Sequence, residues 1–317
     1  MSEAIRLIEN AHSVVLLTHV NPDADTLGSA LGMYHILKRK GKKVYVLNTT
    51  TLPYNLDFLP GIQKIRKELP PKYDLAISFD CGSLDRLGIE SVDAPMINFD
   101  HHASNTHFAD INIVDPKAAA TAQVVYRFVK EAGYTVPKES AICFYTALVD
   151  DCGFFKYDTV GRDTFEFAAE LCGQGADPEY VARMLTMREP LAKIRLITKV
   201  LETLELQLGA KVAVVRVTQR MLKETGGTKE MADDALNMAR SLATVEVAVL
   251  LREEEDGRIK VSLRSKERVD VGKIAVAFGG GGHRRAAGFT SELHDFDRVL
   301  EQVLEKLKEE LEFEAQK

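Results

Sequence analysis

Residues 19–29 read HVNPDADTLGS and follow the apolar run VVLLT at 14–18. An apolar, β-branched run that ends in polar residues is typical of a buried strand. The residues that come next, TLGSALGMYHILKRKG at 26–41, have helical periodicity, with a threonine at the start and a glycine at the end. The stretch therefore predicts a strand followed by a helix, with a histidine and two aspartates gathered at the carboxyl end of the strand.

The same pattern recurs along the first half of the chain. Further strands are predicted at 43–48, 74–80 and 96–102, and helices at 118–132, 138–150, 162–173 and 177–187. Strands that alternate with helices predict an α/β fold with an open, doubly wound, mostly parallel sheet. Such sheets bind ligands at the carboxyl ends of their strands, and three of the predicted strands end in aspartate or histidine.

The second half of the chain has a different pattern. Residues 189–207 predict a long amphipathic helix that connects two domains. Strands are then predicted at 209–217, 245–254 and 257–265, and helices at 231–242, 271–278 and 294–312. This order predicts a smaller α/β domain with a mixed sheet. We place a first domain at 1–187, a linker helix at 188–207 and a second domain at 208–317.

Composition limits the classes of protein to consider. The 317 residues carry a formal net charge of −6 and are 45% hydrophobic, which is ordinary for a globular protein with a sizeable core. Proteins that coat long nucleic acids are usually basic, so we expect no long nucleic acid as a partner. The four cysteines lack the spacing of a zinc or redox motif, and no apolar run approaches the roughly 20 residues of a membrane span. We therefore expect a cytoplasmic protein with no membrane partner.

Several acidic and imidazole side chains meet at one edge of the predicted sheet. They are His19, Asp23, Asp25, Asp80, His101, His102 and Asp151. Each of them alone is more often a helix cap or a turn residue. Gathered together, unpaired carboxylates and imidazoles repel one another and lose hydration, and a metal ion would offset this cost.

The ligand types indicate which ions to expect. Carboxylate and imidazole ligands without thiolate favour Mn²⁺, with Mg²⁺ and Co²⁺ as alternatives. Four aspartates and two or three histidines exceed what one ion needs, so we expect two ions bridged by a carboxylate. Such a pair lowers the pKa of bound water and holds both sides of a displacement at phosphorus. The pattern therefore predicts hydrolysis of a phosphoester or phosphoanhydride.

The chain resembles the DHH phosphoesterase family, whose name describes the triplet found here at 100–102. The motifs that carry the resemblance are HVNPDADTLGS, FDCGSLDRLG, FDHHASNTHFADINIVDP and VDDCGF, with SLRS and GGGGHRRAAG in the second half resembling the DHH-associated domain. Stand-alone, two-domain members of this family are oligoribonucleases and phosphatases of 3′-phosphoadenosine-5′-phosphate (pAp). Some relatives hydrolyse cyclic di-AMP or its linear product pApA.

The resemblance implies a ligand set for each ion. One ion would be held by His19, Asp23 and Asp80, and the other by Asp25, Asp80, His101 and Asp151. Asp80 would then bridge the two ions.

The resemblance also implies roles for the neighbouring residues. His102 would face the substrate phosphate and act in catalysis together with Asp80. Asp100 would lie behind the ligands and orient an imidazole, and Asn21 would reach a phosphate oxygen or a metal-bound water. Arg86, within FDCGSLDRLG, either reaches the site or pairs with an acid.

Two positions depart from the family pattern. Ala24 stands where glycine is common, so its φ must not be positive. Cys152 stands where threonine is common, which replaces a hydroxyl by a soft sulfur near the ions.

The glycine run at 277–289, AFGGGGHRRAAGF, has two interpretations. It is a flexible linker, or its backbone N–H groups contact an anion or a base edge, with Gly280, Gly281 and Gly282 permitting close approach. We favour the second interpretation because helix and strand patterns flank the run closely. We expect Arg264 to bind the terminal 5′-phosphate of the substrate, together with Ser265 and His283, because arginine offers a bidentate fork to phosphate.

The resulting prediction is a Mn²⁺-dependent phosphodiesterase. Its substrates would be short oligoribonucleotides or cyclic and linear dinucleotides, and its products nucleoside 5′-monophosphates. One alternative is a manganese inorganic pyrophosphatase, and another is a nucleotide-sensing protein with little catalytic activity. The sequence leaves the oligomeric state open, a homodimer included.

Overall fold

Two separate six-stranded sheets organise the chain. The computed structural model describes residues 1–315, and the chain divides into the units Met1–Arg188 and Glu189–Lys317 with one sheet in each. In the described part of the chain, we find no helix with the length and apolarity that a membrane crossing requires.

The first unit is an α/β fold around a wholly parallel sheet. Its strands are β1 (Ser13–Thr18), β2 (Lys43–Leu47), β3 (Ile65–Arg66), β4 (Leu75–Phe79), β5 (Met96–Asp100) and β6 (Ile111–Val114). Its helices are α1 (Ser2–Asn10), α2 (Ala24–Arg39), α3 (Thr121–Glu131), α4 (Lys138–Asp151), α5 (Arg162–Gly173) and α6 (Pro178–Thr186). The strand order is β3-β2-β1-β4-β5-β6 with every pair parallel, which confirms the predicted sheet.

Strands β1, β4 and β5 form the centre of this sheet and are buried along their whole length. Both faces of a parallel sheet are covered, so a central strand needs apolar residues in succession, as in VVLLT. Because all the strands run in one direction, the residues that follow β1, β4 and β5 lie at the same edge of the sheet.

Helix α2 packs against α4 through two glycines. A Cβ added to Gly28 would lie 2.5 Å from the Cys143 carbonyl oxygen, and one added to Gly32 would lie 2.2 Å from the Phe144 ring. At Gly28 the two backbones approach so closely that no side chain fits between them, and at Gly32 the Phe144 ring occupies the space that a side chain would need. This contact fixes α2 and α4, which carry candidate ligands at their first and last turns.

The second unit has a mixed sheet, as predicted. Its strands are β7 (Glu205–Gln207), β8 (Val212–Val217), β9 (Val247–Glu253), β10 (Ile259–Ser265), β11 (Gly281–His283) and β12 (Ala286–Ser291). Its helices are α7 (Leu191–Leu201), α8 (Gln219–Thr225), α9 (Asp233–Arg240), α10 (Val271–Ala277) and α11 (Phe296–Ala315). The order is β11-β12-β10-β9-β8-β7, with only β8 and β9 parallel.

The helix predicted over 189–207 is shorter than expected. Helix α7 ends at Leu201, and strand β7 follows it, so the predicted length was wrong. Leu196 and Val200 are fully buried and pack in a core cluster of the second unit with Val215 of β8. Helix α7 has a charged side that faces solvent and an apolar side that is buried in the second unit. This amphipathic pattern is the reason that the sequence suggested a separate connecting helix.

Replacing Gly32 by alanine tests the packing of α2 on α4. The added methyl group must displace the Phe144 ring, so we expect Gly32→Ala to lower the free energy of unfolding by about 1–3 kcal/mol, measured by urea denaturation. Gly173→Ala is the control, because no heavy atom lies within 4 Å of a Cβ built there. A Gly32→Ala protein as stable as the wild type would contradict the close contact.

Candidate metal centre

His19 and Asp23 lie in the loop between β1 and α2. Asp23 caps helix α2, since its Oδ1 accepts the N–H groups of Asp25 and Thr26, both at 3.1 Å. The other oxygen, Oδ2, stays free of the cap and lies 3.6 Å from His19 Nε2. The capping role that a lone aspartate suggests is therefore real, and it leaves one oxygen for a ligand.

Asp80 follows β4 and is nearly buried. Its φ of 56° lies in the left-handed region, which aspartate tolerates better than most residues. Its Oδ2 lies 3.4 Å from His19 Nε2, and its Oδ1 lies 3.6 Å from His101 Nε2. The two oxygens of one carboxylate thus face two different histidines, which is the arrangement of a bridging ligand.

Asp25 is held by the first turn of α3. Its Oδ2 accepts the N–H of Thr121 at 2.6 Å, and its Oδ1 accepts the N–H of Ala122 at 3.0 Å. The Thr121 hydroxyl donates to Asp80 Oδ1 at 3.0 Å. The unpaired N–H groups at a helix N-terminus favour negative charge, so α3 supports both carboxylates.

His101 faces a second group of carboxylates. Its Nε2 lies 3.4 Å from Asp151 Oδ2, at the end of α4, and 3.9 Å from Asp25 Oδ2. Its Nδ1 lies 3.1 Å from the carbonyl oxygen of Ala118, to which a proton on Nδ1 would be donated. A ring held in this way directs the lone pair of Nε2 toward the carboxylates, as metal-ligating histidines do.

His102 is bound to Asp100 and stays partly exposed. Its Nδ1 lies 2.8 Å from Asp100 Oδ1, and the side chain is 37% exposed. Asn105 donates to the other oxygen of Asp100. The hydrogen bond with Asp100 raises the pKa of His102. Burial alone would raise the pKa of Asp100, but the hydrogen bonds from His102 and Asn105 bring it below its ordinary value.

Two of the three-residue groups whose ligand atoms lie within 4.8 Å of one another correspond to the two ion positions that the sequence predicts. They are His19, Asp23 and Asp80, and Asp25, His101 and Asp151, while a third group joins Asp80 to His101 and His102. Within residues 1–315, none of the four carboxylates in these groups forms an ion pair with lysine or arginine. Oxygen and imidazole donors with uncompensated negative charge fit divalent cations.

The pKa values reflect this crowding. Burial, together with the charges of Asp80 and Asp151, raises the pKa of Asp25 well above its ordinary value. Burial raises the pKa of Asp151 to about 7. Burial would lower the pKa of His19, but Asp23 and Asp80 raise it to about 9. The cluster therefore favours bound protons at pH values below these raised pKa values, and a cation that binds would replace them.

Three further predicted positions have local roles. Asn21 is exposed, has a φ of 53° and donates its N–H to the Thr50 hydroxyl at 2.9 Å, so the structure shows it as a turn residue. Ala24 has no positive φ, as its identity requires. The Cys152 sulfur accepts the N–H of Phe155 at 3.2 Å and lies 3.7 Å from the Val149 carbonyl oxygen.

The predicted substrate contacts of the second unit lie on two faces of its sheet. Arg264 pairs in register with Ala286, and Ala286 with His283, so these residues form one row across β10, β12 and β11. Ser265 is fully buried on the opposite face, and its hydroxyl donates to the Arg284 carbonyl oxygen at 3.4 Å. The structure therefore places Arg264 and His283 in one row, two strands apart with Ala286 between them, and Ser265 on the other face of the sheet.

The glycine run is an edge hairpin and not a linker. Gly281 and Gly282 pair with Gly288 and Ala287 of β12. A Cβ on Gly280 would lie 2.3 Å from the Gly288 carbonyl oxygen, and Gly282 has a φ of +141°. Close backbone approach, which only glycine permits, explains the run.

Sequence reasoning missed the supporting residues Thr121 and Asn105. Thr121 lies far along the chain from Asp25 and Asp80, and Asn105 follows Asp100 closely but is of a residue type common in turns. The one available signal was the threonine at the start of the predicted helix 118–132, which could have indicated N–H groups directed at the site.

Comparison with protein families gives two matches. A model of the DHH family N-terminal domain matches residues 13–148, and a model of the DHHA1 domain matches residues 209–310. These matches confirm the resemblance found in the motifs.

Individual relatives match over nearly the full chain. The bifunctional oligoribonuclease and PAP phosphatase NrnA of Thermus thermophilus is 34% identical, covering 98% of this chain and 93% of that protein. The protein of the same name from Bacillus subtilis is 25% identical, covering 94% and 96%. An exopolyphosphatase-related protein from Bacteroides fragilis has a solved structure that matches with a TM-score of 0.90 at 28% identity, covering 98% and 97%.

Ion binding should depend on pH in a direction set by these pKa values. Asp151 and His19 must lose protons before they can ligate, and their pKa values of about 7 and about 9 mean that both hold protons near pH 6. We expect the affinity for Mn²⁺ to rise at least about tenfold from pH 6 to pH 8, with proton release on binding. Calorimetric titration in buffers of different ionisation enthalpy measures both, and an affinity independent of pH would contradict the assignment.

Proposed function

This chain belongs to the DHH family, with a DHHA1 domain after the DHH domain, and from that premise we propose that it hydrolyses the 3′-ester bond of short 5′-phosphorylated nucleotides. The substrates are pAp, pApA and slightly longer oligoribonucleotides, and the nucleotide product is a 5′-monophosphate. The names of the two NrnA relatives support this choice, since both describe oligoribonucleases that also act on pAp.

The carboxylate of Asp80 is the observation that carries the proposal. Its two oxygens face His19 and His101 separately, and each histidine belongs to its own group of acidic ligands. We propose that these groups hold two divalent ions, Mn²⁺ by preference. Bound there, the two ions would supply Lewis acidity at the phosphoryl oxygens and lower the pKa of the attacking water.

The residues of the chain orient the groups around the phosphate. Asp100 accepts from His102 Nδ1, so the outer nitrogen Nε2 is left to face the substrate. The raised pKa of His102 favours a protonated ring, which can donate to a phosphoryl oxygen as charge develops there. The helix N-terminus at Thr121 keeps Asp25 and Asp80 fixed, so little rearrangement is needed during the reaction.

The row formed by Arg264 and His283 supports a contact with the 5′-phosphate. The two residues lie two strands apart, with about 10 Å between their backbones and the small side chain of Ala286 between them. The long side chain of Arg264 and the ring of His283 can therefore reach one anion that lies over Ala286. Arg264 is only partly buried, and its Nη1 donates to the Leu263 carbonyl oxygen at 3.1 Å. The remaining donors of its guanidinium can bind phosphate oxygens. Cyclic di-AMP has no terminal phosphate, so we place it below the linear substrates.

Replacing Asp80 by asparagine tests the ion pair. Asparagine tolerates the left-handed backbone at this position but lacks the charge needed to bridge two cations. We expect wild-type protein with Mn²⁺ to convert pApA and pAp to AMP, and Asp80→Asn to lower kcat by roughly a thousandfold or more. Asp57→Asn, a substitution at an exposed residue paired with Arg188, is the control.

The substrate panel for this test includes pyrophosphate and cyclic di-AMP. Cleavage of pyrophosphate alone would favour a pyrophosphatase, and binding of nucleotides without turnover would favour a sensor. Substantial Mn²⁺-dependent activity of Asp80→Asn would contradict the bridging role.

Replacing Arg264 by alanine tests the grip on the 5′-phosphate. We expect Arg264→Ala to raise KM for pApA about tenfold or more and to leave KM for the dephosphorylated dinucleotide ApA nearly unchanged, because only the first offers a phosphate to the guanidinium. Arg268→Ala, at an exposed position outside β10, is the matched control. An equal loss on both dinucleotides would show that the contact is misassigned.

A further inference from the structure

Arg86 lies in the short 3-10 turn Leu84–Leu87 that follows Asp80. The turn is fixed to the loop that carries His19, because the N–H of Val20 donates to the Arg86 carbonyl oxygen at 2.8 Å. Gly88, with a φ of +63°, permits this close approach, because a Cβ at this position would lie 2.5 Å from Val20 Cγ1. The position of Arg86 is thus set by the backbone of the metal centre itself.

The guanidinium of Arg86 lies beside a candidate ligand. Its Nη2 is 3.3 Å from His19 Nδ1, and the carbonyl oxygen of Val20 is 2.9 Å from the same ring nitrogen. A proton on Nδ1 donates to Val20 and leaves Nε2 free to face Asp23 and Asp80. In that tautomer Nδ1 has no lone pair to accept from Arg86.

The guanidinium N–H groups of Arg86 are therefore available to bind another group. The side chain is exposed, and within residues 1–315 it forms no ion pair with a carboxylate. A guanidinium without an acid partner, next to a metal ligand, is suited to bind a phosphoryl oxygen.

The two proposed substrates, pAp and pApA, differ in one oxygen of the phosphoryl group that reacts. Water attacks phosphorus in both, the bond from phosphorus to O3′ breaks, and O3′ leaves with a proton. Hydrolysis of pApA gives two AMP, and hydrolysis of pAp gives AMP and phosphate. In pAp the phosphoryl group is a monoester with a charge near −2 at neutral pH, whereas in pApA one of its oxygens is esterified and uncharged.

We infer that Arg86 is a specificity-determining residue that binds the additional anionic oxygen of a 3′-phosphomonoester. It favours pAp over pApA at the same pair of ions, while His102 acts on both substrates. The inference rests on the proposed function and assigns its two activities to one site with one extra contact.

The test measures kcat/KM for pAp and for pApA with the wild type and three variants. Arg86→Gln keeps the polarity of the side chain and removes its charge, Arg86→Lys keeps the charge, and Arg39→Gln is the control. Arg39 is exposed at the last turn of α2, about 20 Å along the helix from the metal centre. We expect Arg86→Gln to lower kcat/KM for pAp about tenfold to a hundredfold and to change that for pApA little, with Arg86→Lys in between.

Two further measurements separate the other outcomes. Calorimetric titration with Mn²⁺ should give the same affinity for Arg86→Gln and wild type; a fall would show that Arg86 positions His19 instead and would overturn the inference. An equal loss of kcat/KM on pAp and pApA in both Arg86 variants would also overturn it. Wild-type protein that hydrolyses neither substrate would overturn the proposed function itself.

Discussion

The repulsion between carboxylates gathered at one sheet edge is the constraint on which the candidate metal centre depends. Asp25 and Asp80 are almost fully buried, and the charges of Asp80, Asp151 and Asp23 all act on Asp25. The fold offsets part of this charge with the N-terminus of α3 and with two imidazoles, but with no lysine or arginine paired to these carboxylates in the described residues. Protons balance it at low pH, and divalent cations can balance it once those protons are lost.

In several of these side chains, one atom makes a local hydrogen bond and another atom remains free to bind such an ion. Asp23 uses one oxygen to cap α2 and presents the other to His19. His101 and His19 are each bound through Nδ1 to a carbonyl oxygen, which leaves both Nε2 atoms facing carboxylates. The same side chains therefore stabilise local structure and supply ligands, so ordinary capping roles do not argue against a metal site.

The sequence predicted which acidic and imidazole side chains gather at this edge, because parallel strands all end there. Each ligand either follows a strand or lies at a helix end near that edge, and the motifs assigned them to one family. The supporting residues were harder to predict, because Thr121 and Asn105 are recognised only by what they contact. In the second unit, strand alternation separates Ser265 from Arg264, and the glycine run forms a hairpin with β12, whose register no pattern of apolar residues could indicate.

The most direct test is the location of manganese in a crystal of the protein. Anomalous diffraction collected at the manganese edge should show two peaks about 3.5–4 Å apart, one on each side of the Asp80 carboxylate. His19 should ligate one of these ions and His101 the other. A single ion, or ions bound without Asp80, would contradict the account of a bridged pair.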